Sequence, residues 1–188
     1  MYWKLREQYT GLHQLICRSA DTVYVGQDDF NSSDARLLSE GFARCNGIAF
    51  LDRNCSKGAL AHISGATHPN DIVNGIRYHV TGSRMSDVDK IEDVFEDTSN
   101  VKAINVYHSL RYAWWPEIIE ETLAKKGISE VQHVPLSTSN GKVYHRAIAL
   151  DVKQALLYIF PNNGTSLITV PFFQRKTNGM DEKNGNLS

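Results

Sequence analysis

Three short apolar runs, which follow one another closely with turn residues between them, most constrain the fold of this chain. The runs are residues 35–42, 47–51 and 59–63. The last two are separated by a polar segment that contains Asp-Arg-Asn at 52–54 and Ser-Lys-Gly at 56–58, as in hairpin connections. Apolar runs of this length are typical of β-strands. We therefore predict a β-meander in this part of the chain.

The rest of the sequence alternates between strand-like and helix-like segments. Strands are predicted at 22–25, 101–108, 128–136, 144–151, 156–160 and 167–173. Helices are predicted at 2–16, at 87–97 with Ser86 as N-cap, and at 115–126, where a proline lies near the start and Gly127 follows the end. Residues 27–34 are rich in Asp, Asn and Ser and are predicted to form a loop. This mixture predicts an α+β fold, a layered α/β sandwich with a mixed, mostly antiparallel sheet.

Length and composition predict one ordinary folded domain. The chain has 188 residues, of which 41% are hydrophobic and 22% are charged, values close to those of globular proteins. A chain of this size buries enough surface to need no disulfide or metal staple. We predict a single domain over residues 1–175. The polar, Gly- and Asn-rich residues 176–188 are predicted to form a disordered tail.

The charge balance and the cysteine count exclude several classes of protein. The 20 Lys and Arg residues against 21 Asp and Glu residues give a net charge of −1, without the basic excess of nucleic-acid-binding proteins. No apolar run approaches the roughly 20 residues that span a bilayer. Three cysteines do not suggest a disulfide framework, and the first residues do not resemble a signal peptide. We expect a cytoplasmic protein that neither inserts into a membrane nor binds nucleic acid.

Cys45 is the strongest candidate for a reactive residue. It lies between two predicted strands, and His62 follows 62 − 45 = 17 residues later, near the end of another strand. In an antiparallel meander this separation places both side chains at the same end of the sheet. A Cys–His pair generates a nucleophilic thiolate, and Ser39 is placed to orient the imidazole as a third member. Arg44 is a candidate for stabilising the thiolate or binding an acidic substrate, or it is a surface arginine.

The stretch that holds these residues resembles the CheD family of bacterial chemoreceptor glutamine deamidases. That family carries Thr-x-Gly-x-Gly-Ser-Cys, then an apolar strand that ends in Asp, a glycine and an Ala-His pair. Ser39 stands at the position of the catalytic threonine, Cys45 at that of the nucleophile, and His62 at that of the catalytic histidine. The other matching positions are Gly26, Gly41, Asp52, Gly58 and Ala61. Toxins of the cytotoxic necrotizing factor type have a similar Cys-His fold.

The resemblance implies a CheD-like protein-glutamine deamidase that uses Cys45, His62 and Ser39 and requires no metal or organic cofactor. Its partner would be a protein that carries the target glutamine. Ala43 and Arg44 replace the family's Gly-Ser, and the parts of the chain that select the substrate match less well. The substrate is therefore expected to be either a chemoreceptor in the bacterial cytoplasm or, for a secreted effector, a protein in the host cytosol.

Two alternatives remain open from the sequence. The first is a zinc site, although no metal-binding spacing such as C-x-x-C occurs. Its candidate ligands are His62, His68, His79, His108, Cys45 and Cys55. The second is a non-catalytic CheD-like module that binds a partner through the aromatic residues Tyr112, Trp114 and Trp115. A Cys45 that is neither a nucleophile nor a ligand would be a buried packing residue, as free cysteines often are.

Overall fold

The apolar runs form the strands of two large sheets. The computed structural model describes residues 19–42, 45–65, 67–74, 77–78, 84–85, 91–108, 114–136, 145–161 and 167–173. The strands are β1 Thr22–Val25, β2 Asp29–Ser33, β3 Arg36–Glu40, β4 Asn46–Asp52, β5 Gly58–Ile63, β6 Arg77–Tyr78, β7 Arg84–Met85, β8 Val101–His108, β9 Glu130–Leu136, β10 His145–Asp151, β11 Leu156–Pro161 and β12 Ile168–Pro171. The helices are α1 Pro69–Val73, α2 Ile91–Val94 and α3 Pro116–Ala124, with a 3-10 turn at Thr98–Asn100.

Each large sheet has five strands among the described residues. Sheet A has the order β1-β3-β10-β11-β12, sheet B has the order β2-β5-β4-β8-β9, and β6 and β7 form a separate short hairpin. The pairs β1–β3 and β8–β9 are parallel, whereas the other pairs in the two sheets are antiparallel. Both sheets are therefore mixed and mostly antiparallel.

The two sheets stack, and helices cover the outer face of sheet B. Leu37 and Leu150 of sheet A pack with Leu60 of sheet B in the core between the sheets. A second apolar cluster lies on the outer face of sheet B, where Phe50 packs with helical residues such as Ile119. The predicted α+β layered sandwich is confirmed. No helix in the described part of the chain is long and apolar enough to cross a membrane.

The predicted meander is wrong, although its β4–β5 hairpin is confirmed. β3 belongs to sheet A, where it lies between β1 and β10, whereas β4 and β5 pair in sheet B. Leu37 and Leu38 are both buried, so β3 has apolar cover on both faces, as expected of an inner strand. The chain changes sheets between β3 and β4, and Gly41 begins this crossing with a φ of 85°, a value that favours glycine.

The predicted loop at 27–34 is also wrong, because Asp29–Ser33 forms β2 at the edge of sheet B. Its polar side chains form hydrogen bonds with the backbone of this edge strand. The Asp29 carboxylate accepts from the Phe30 N–H at 2.8 Å, and the Asn31 side chain accepts from the Ser32 N–H at 2.9 Å. Such local bonds satisfy backbone donors that have no neighbouring strand. Phe30 is buried and anchors the strand.

The remaining predictions agree to different extents. The predicted strand at 22–25 and the five predicted beyond residue 100 correspond to β1 and β8 to β12, and the last predicted helix is α3. Pro116 is its first residue, and Gly127 has a φ of 81° after its end. The helix predicted at 87–97 has the bounds Ile91–Val94 in the described part. The segment 2–16, Ser86 and the tail 176–188 lie outside the described residues, and α1 was not predicted.

We expect Gly58→Ala to destabilise the fold, because this glycine lies where the two sheets approach closely. A Cβ at this position would lie 2.6 Å from Val152 Cγ2 and 2.9 Å from Leu150 Cδ2. Such overpacking costs about 1–3 kcal/mol of unfolding free energy, which urea denaturation measures. Gly26→Ala is the matched control, since its nearest contact would be 3.7 Å away. Equal stability of the two variants would contradict this account of the packing.

Candidate active site

The three predicted catalytic residues come from two different sheets. Ser39 lies near the end of β3 in sheet A, and His62 lies near the end of β5 in sheet B. Cys45 directly precedes β4, the neighbour of β5. Ser39 and His62 are fully buried and the exposed fraction of Cys45 is 7%. The three residues therefore lie at one end of the interior between the two sheets. The predicted meander does not account for this arrangement, because Ser39 belongs to the other sheet.

A hydrogen bond across the two sheets fixes the protonation of the His62 ring. Ser39 Oγ lies 2.9 Å from His62 Nδ1 and 2.7 Å from the carbonyl oxygen of Val25. A carbonyl oxygen only accepts, so the single hydroxyl proton of Ser39 is donated to Val25. Ser39 Oγ must then accept from Nδ1–H. The other ring nitrogen, Nε2, consequently carries the lone pair in the neutral imidazole.

Strand register places Cys45 on the same face of sheet B as His62. Gly47 is directly opposite His62 in the β4–β5 pair, and Cys45 lies two residues before Gly47. Alternation along a strand puts residues 45 and 47 on one face, which makes Cys45 and His62 diagonal neighbours, typically about 7–8 Å apart. Nε2 has no hydrogen-bond partner among the described residues, so it is not hydrogen-bonded to Cys45 in this conformation.

Phe42 and Gly47 shape the surroundings of the imidazole. The Phe42 ring stacks on the His62 ring with a centroid distance of 3.8 Å and an interplanar angle of 14°. A Cβ at Gly47 would lie 3.0 Å from Phe42 Cε1 and would collide with Ile148 Cδ1. The absence of a side chain at position 47 therefore leaves room for the stacked rings and for sheet A.

Burial keeps His62 neutral. It lowers the pKa of this histidine from 6.5 to about 4, against a smaller opposing effect of the Asp28 carboxylate. Asp28 donates its backbone N–H to the carbonyl oxygen of His62 at 2.7 Å. Its carboxylate accepts from the N–H and hydroxyl of Ser64 at 2.8 and 2.9 Å. At pH 7 the site therefore holds a desolvated neutral base rather than an imidazolium.

The other candidate residues do not join this group in the described structure. Arg44 lies outside the described residues, so the role suggested for it stays a prediction. Cys55 lies in the β4–β5 turn, at the other end of the hairpin from Cys45, and burial and the nearby Asp52 raise the pKa of its thiol. The cavity near this turn, lined by residues such as Asp52 and Phe95, includes none of the three catalytic candidates.

The zinc alternative gains no cluster within the described segments, where no three His, Cys, Asp or Glu residues lie close enough to hold a metal ion. His68 instead lies edge-on to Trp114, with ring centroids 4.8 Å apart. His79 is outside the described residues. Trp115 is 61% exposed, whereas Trp114 is partly buried, so the two adjacent tryptophans have different environments.

We expect acid to destabilise the fold through His62. Its pKa is lowered to about 4 in the folded protein, so between about pH 6.5 and 4 the unfolded chain binds more protons. The stability that this neutral histidine contributes is present above this range and is lost as the pH falls through it. From about pH 7 to 4.5, urea denaturation should show a loss about 2 kcal/mol larger for the wild type than for His62→Gln. Parallel pH dependences would contradict a neutral, buried His62.

Neither the protein-family models nor the curated proteins give a match to this chain. Among solved structures it is similar to the hypothetical protein YfiH of Bacillus licheniformis, with a TM-score of 0.40 and 13% identity over 56% of this chain and 50% of that one. It is also similar to protein NMB0706 of Neisseria meningitidis, described under DUF152, with a TM-score of 0.45 and 11% identity over 69% of this chain and 66% of that one. The chain thus spans between half and two thirds of the length of these two proteins.

Proposed function

We propose that the chain is a cysteine-dependent deamidase that converts glutamine side chains of a partner protein to glutamate. The observation that carries this proposal is the hydrogen bond of His62 Nδ1 to Ser39, because it leaves Nε2 as a base on the face of sheet B that also bears Cys45. The choice of glutamine as the substrate group rests on the resemblance of residues 26–65 to the CheD family.

In the first half of the reaction, Cys45 attacks the carboxamide carbon of the glutamine side chain. As the S–C bond forms, the thiol proton moves to Nε2 of His62, and the negative charge collects on the carboxamide oxygen. Peptide N–H groups near Cys45 are the expected donors to this oxyanion. The intermediate collapses when the C–N bond breaks, and the His62 proton leaves with the amine as ammonia. A thioester between Cys45 and the substrate remains.

In the second half, water hydrolyses the thioester. Nε2 of His62, neutral again, takes a proton from the attacking water, and the S–C bond breaks. The proton returns to the Cys45 sulfur, and the substrate leaves as glutamate. The net reaction is carboxamide plus water giving carboxylic acid plus ammonia, so it consumes no redox equivalent.

The low pKa of His62 shapes this mechanism. A base with a pKa of about 4 does not hold a stable ion pair with a thiol at neutral pH, so proton transfer accompanies the attack instead of preceding it. Ser39 accepts from Nδ1–H throughout and keeps Nε2 aimed at the reacting groups. The Asp28 carboxylate raises the pKa of His62 and therefore favours the imidazolium that forms in each half-reaction.

The biological setting follows from the identity of the protein substrate. A chemoreceptor substrate would make the chain a chemotaxis deamidase in the bacterial cytoplasm. A host-protein substrate would make it an effector. The chemistry at Cys45 is the same in both, so one assay with two sets of candidate substrates covers both settings.

We expect purified protein to raise the mass of a target glutamine residue by about one dalton through the Cys45 thioester pathway. Chemoreceptor cytoplasmic domains and a eukaryotic lysate would each be incubated with wild type, Cys45→Ser and Cys55→Ser, followed by peptide mass spectrometry. Wild type and Cys55→Ser should deamidate the same glutamine, and Cys45→Ser should not. Equal mass gain with Cys45→Ser, or no gain in either substrate set, would overturn the proposal.

We expect Ser39→Ala to lower kcat on the order of tenfold, since one hydrogen bond that holds the base is worth about 1 kcal/mol or slightly more. Ser39→Thr retains the hydroxyl and should retain most of the activity. The measurement is the rate of deamidation, with the folded fraction checked by circular dichroism. If the two variants lose activity equally, Ser39 does not act through its hydroxyl.

A further inference from the structure

The residue that follows the candidate nucleophile is a buried asparagine, whose side chain lies on the opposite face of sheet B from Cys45. Asn46 directly follows Cys45 and is fully buried. Its Oδ1 accepts from the Trp114 backbone N–H at 2.8 Å, and its Nδ2 donates to the Trp114 carbonyl oxygen at 3.1 Å. The second Nδ2 proton goes to Asn105 Oδ1 at 3.0 Å. One side chain thus holds both backbone groups of a residue 68 positions further along the chain.

Trp114 also holds the segment that follows His62. Its indole Nε1–H is shared between the carbonyl oxygens of Ser64 at 3.1 Å and Thr67 at 3.0 Å. Ser64 is two residues after His62, just beyond the end of β5. Through its backbone and its ring, Trp114 therefore connects the residue next to Cys45 with the segment that follows His62.

The hydrogen bonds continue outward from Asn46 in one consistent direction. Asn105 accepts with Oδ1, so its Nδ2 donates to His133 Nδ1 at 3.1 Å. His133 Nε2–H then donates to the Glu120 carboxylate on α3 at 2.9 Å. A chain of hydrogen bonds through β8, β9 and α3 therefore fixes the orientation of the Asn46 side chain.

We infer that Asn46 and Trp114 are positioning residues that set the placement of Cys45 relative to His62, an inference that rests on the proposed function. The pair Asn46 and Ile63 ends the β4–β5 ladder on this side, so Cys45 lies just outside the paired part of β4. The clamp formed by Asn46 and Trp114 restrains this strand end. Displacing a reacting group by about 1 Å costs on the order of a hundredfold in rate, so this restraint bears directly on catalysis.

The test measures how His62 and the clamp affect the reactivity of Cys45, without requiring a known substrate. The rate of Cys45 alkylation by iodoacetamide is followed by peptide mass spectrometry across a pH series for wild type, His62→Gln and Trp114→Phe. Trp114→Phe keeps an aromatic ring and removes the Nε1–H. Trp115→Phe is the matched control, because it makes the same change at the adjacent, 61% exposed position.

We expect Trp114→Phe to shift the pH profile of alkylation toward that of His62→Gln, with a change in rate on the order of tenfold. The variant keeps the backbone bonds to Asn46 but loses the Nε1–H bonds to Ser64 and Thr67, so the strand end that carries Cys45 is no longer tied to the segment that follows His62. Trp115→Phe should follow the wild-type profile. Rates are expressed per folded molecule, with stability from urea denaturation, since a merely structural tryptophan would change stability alone.

If His62→Gln changes the profile and neither Trp114→Phe nor Asn46→Asp does, the positioning role is overturned and the proposed function stands. If His62→Gln leaves the profile unchanged, the Cys–His mechanism fails and the inference fails with it. Asn46→Asp tests the Asn46 contacts directly, and it also serves as the second variant should Trp114→Phe not fold. It keeps the acceptor for the Trp114 N–H, removes both Nδ2 donors, and is expected to shift the profile in the same direction.

Discussion

The hydrogen bond between Ser39 Oγ and His62 Nδ1 joins the two sheets, and the candidate site depends on it. Stacked sheets usually lie about 10 Å apart, so a short serine and a histidine meet only where the sheets approach closely. Gly47 permits this approach, since a Cβ there would meet Phe42 and the Ile148 side chain of sheet A. Ile148 is in turn the neighbour of Ser39 across the β3–β10 pair. The same contacts between the two sheets therefore determine both the packing of the core and the geometry of the site.

Burying a histidine beside an aromatic ring has an energetic cost that the site turns to chemical use. The cost appears as the lowered pKa of His62, which strongly disfavours the charged ring at neutral pH. Ser39 satisfies Nδ1, and the stacked Phe42 ring excludes water from one face. The desolvated Nε2 is a weak base in the resting site, but its protonation becomes more favourable as negative charge develops nearby during the attack. This arrangement suits a thiol that is deprotonated during attack.

The sequence predicted elements whose signals are local, and it failed where distant contacts decide. The β4–β5 hairpin and α3 follow from apolar runs, turn residues, Pro116 and Gly127, all of which lie within a few residues of the elements they define. β2 was predicted as a loop because the segment is rich in polar residues. In the fold these side chains bond to the backbone of their own edge strand, and only the pairing with β5 shows that the segment is a strand. The Ser39–His62 contact was predicted from the position of Ser39 shortly before Cys45 and from the resemblance, whereas the meander that was expected to bring Cys45 and His62 together is wrong. The true origin of the contact is the crossing of the chain from sheet A to sheet B.

The clamp could not have been found from the sequence, because Asn46 and Trp114 are brought together only by the order of strands in sheet B. An asparagine at the start of an apolar run is an ordinary strand boundary, and a Trp-Trp pair before a proline is an ordinary helix entry. The fold gives them a joint role, since Cys45 and Asn46 are adjacent residues that face opposite sides of the same sheet. The interior side orients His62 through Ser39, while the helix-covered side restrains the backbone that carries Cys45. A site with a reacting group at a strand end needs both restraints, because a fixed base has no effect when the nucleophile beside it is free to move.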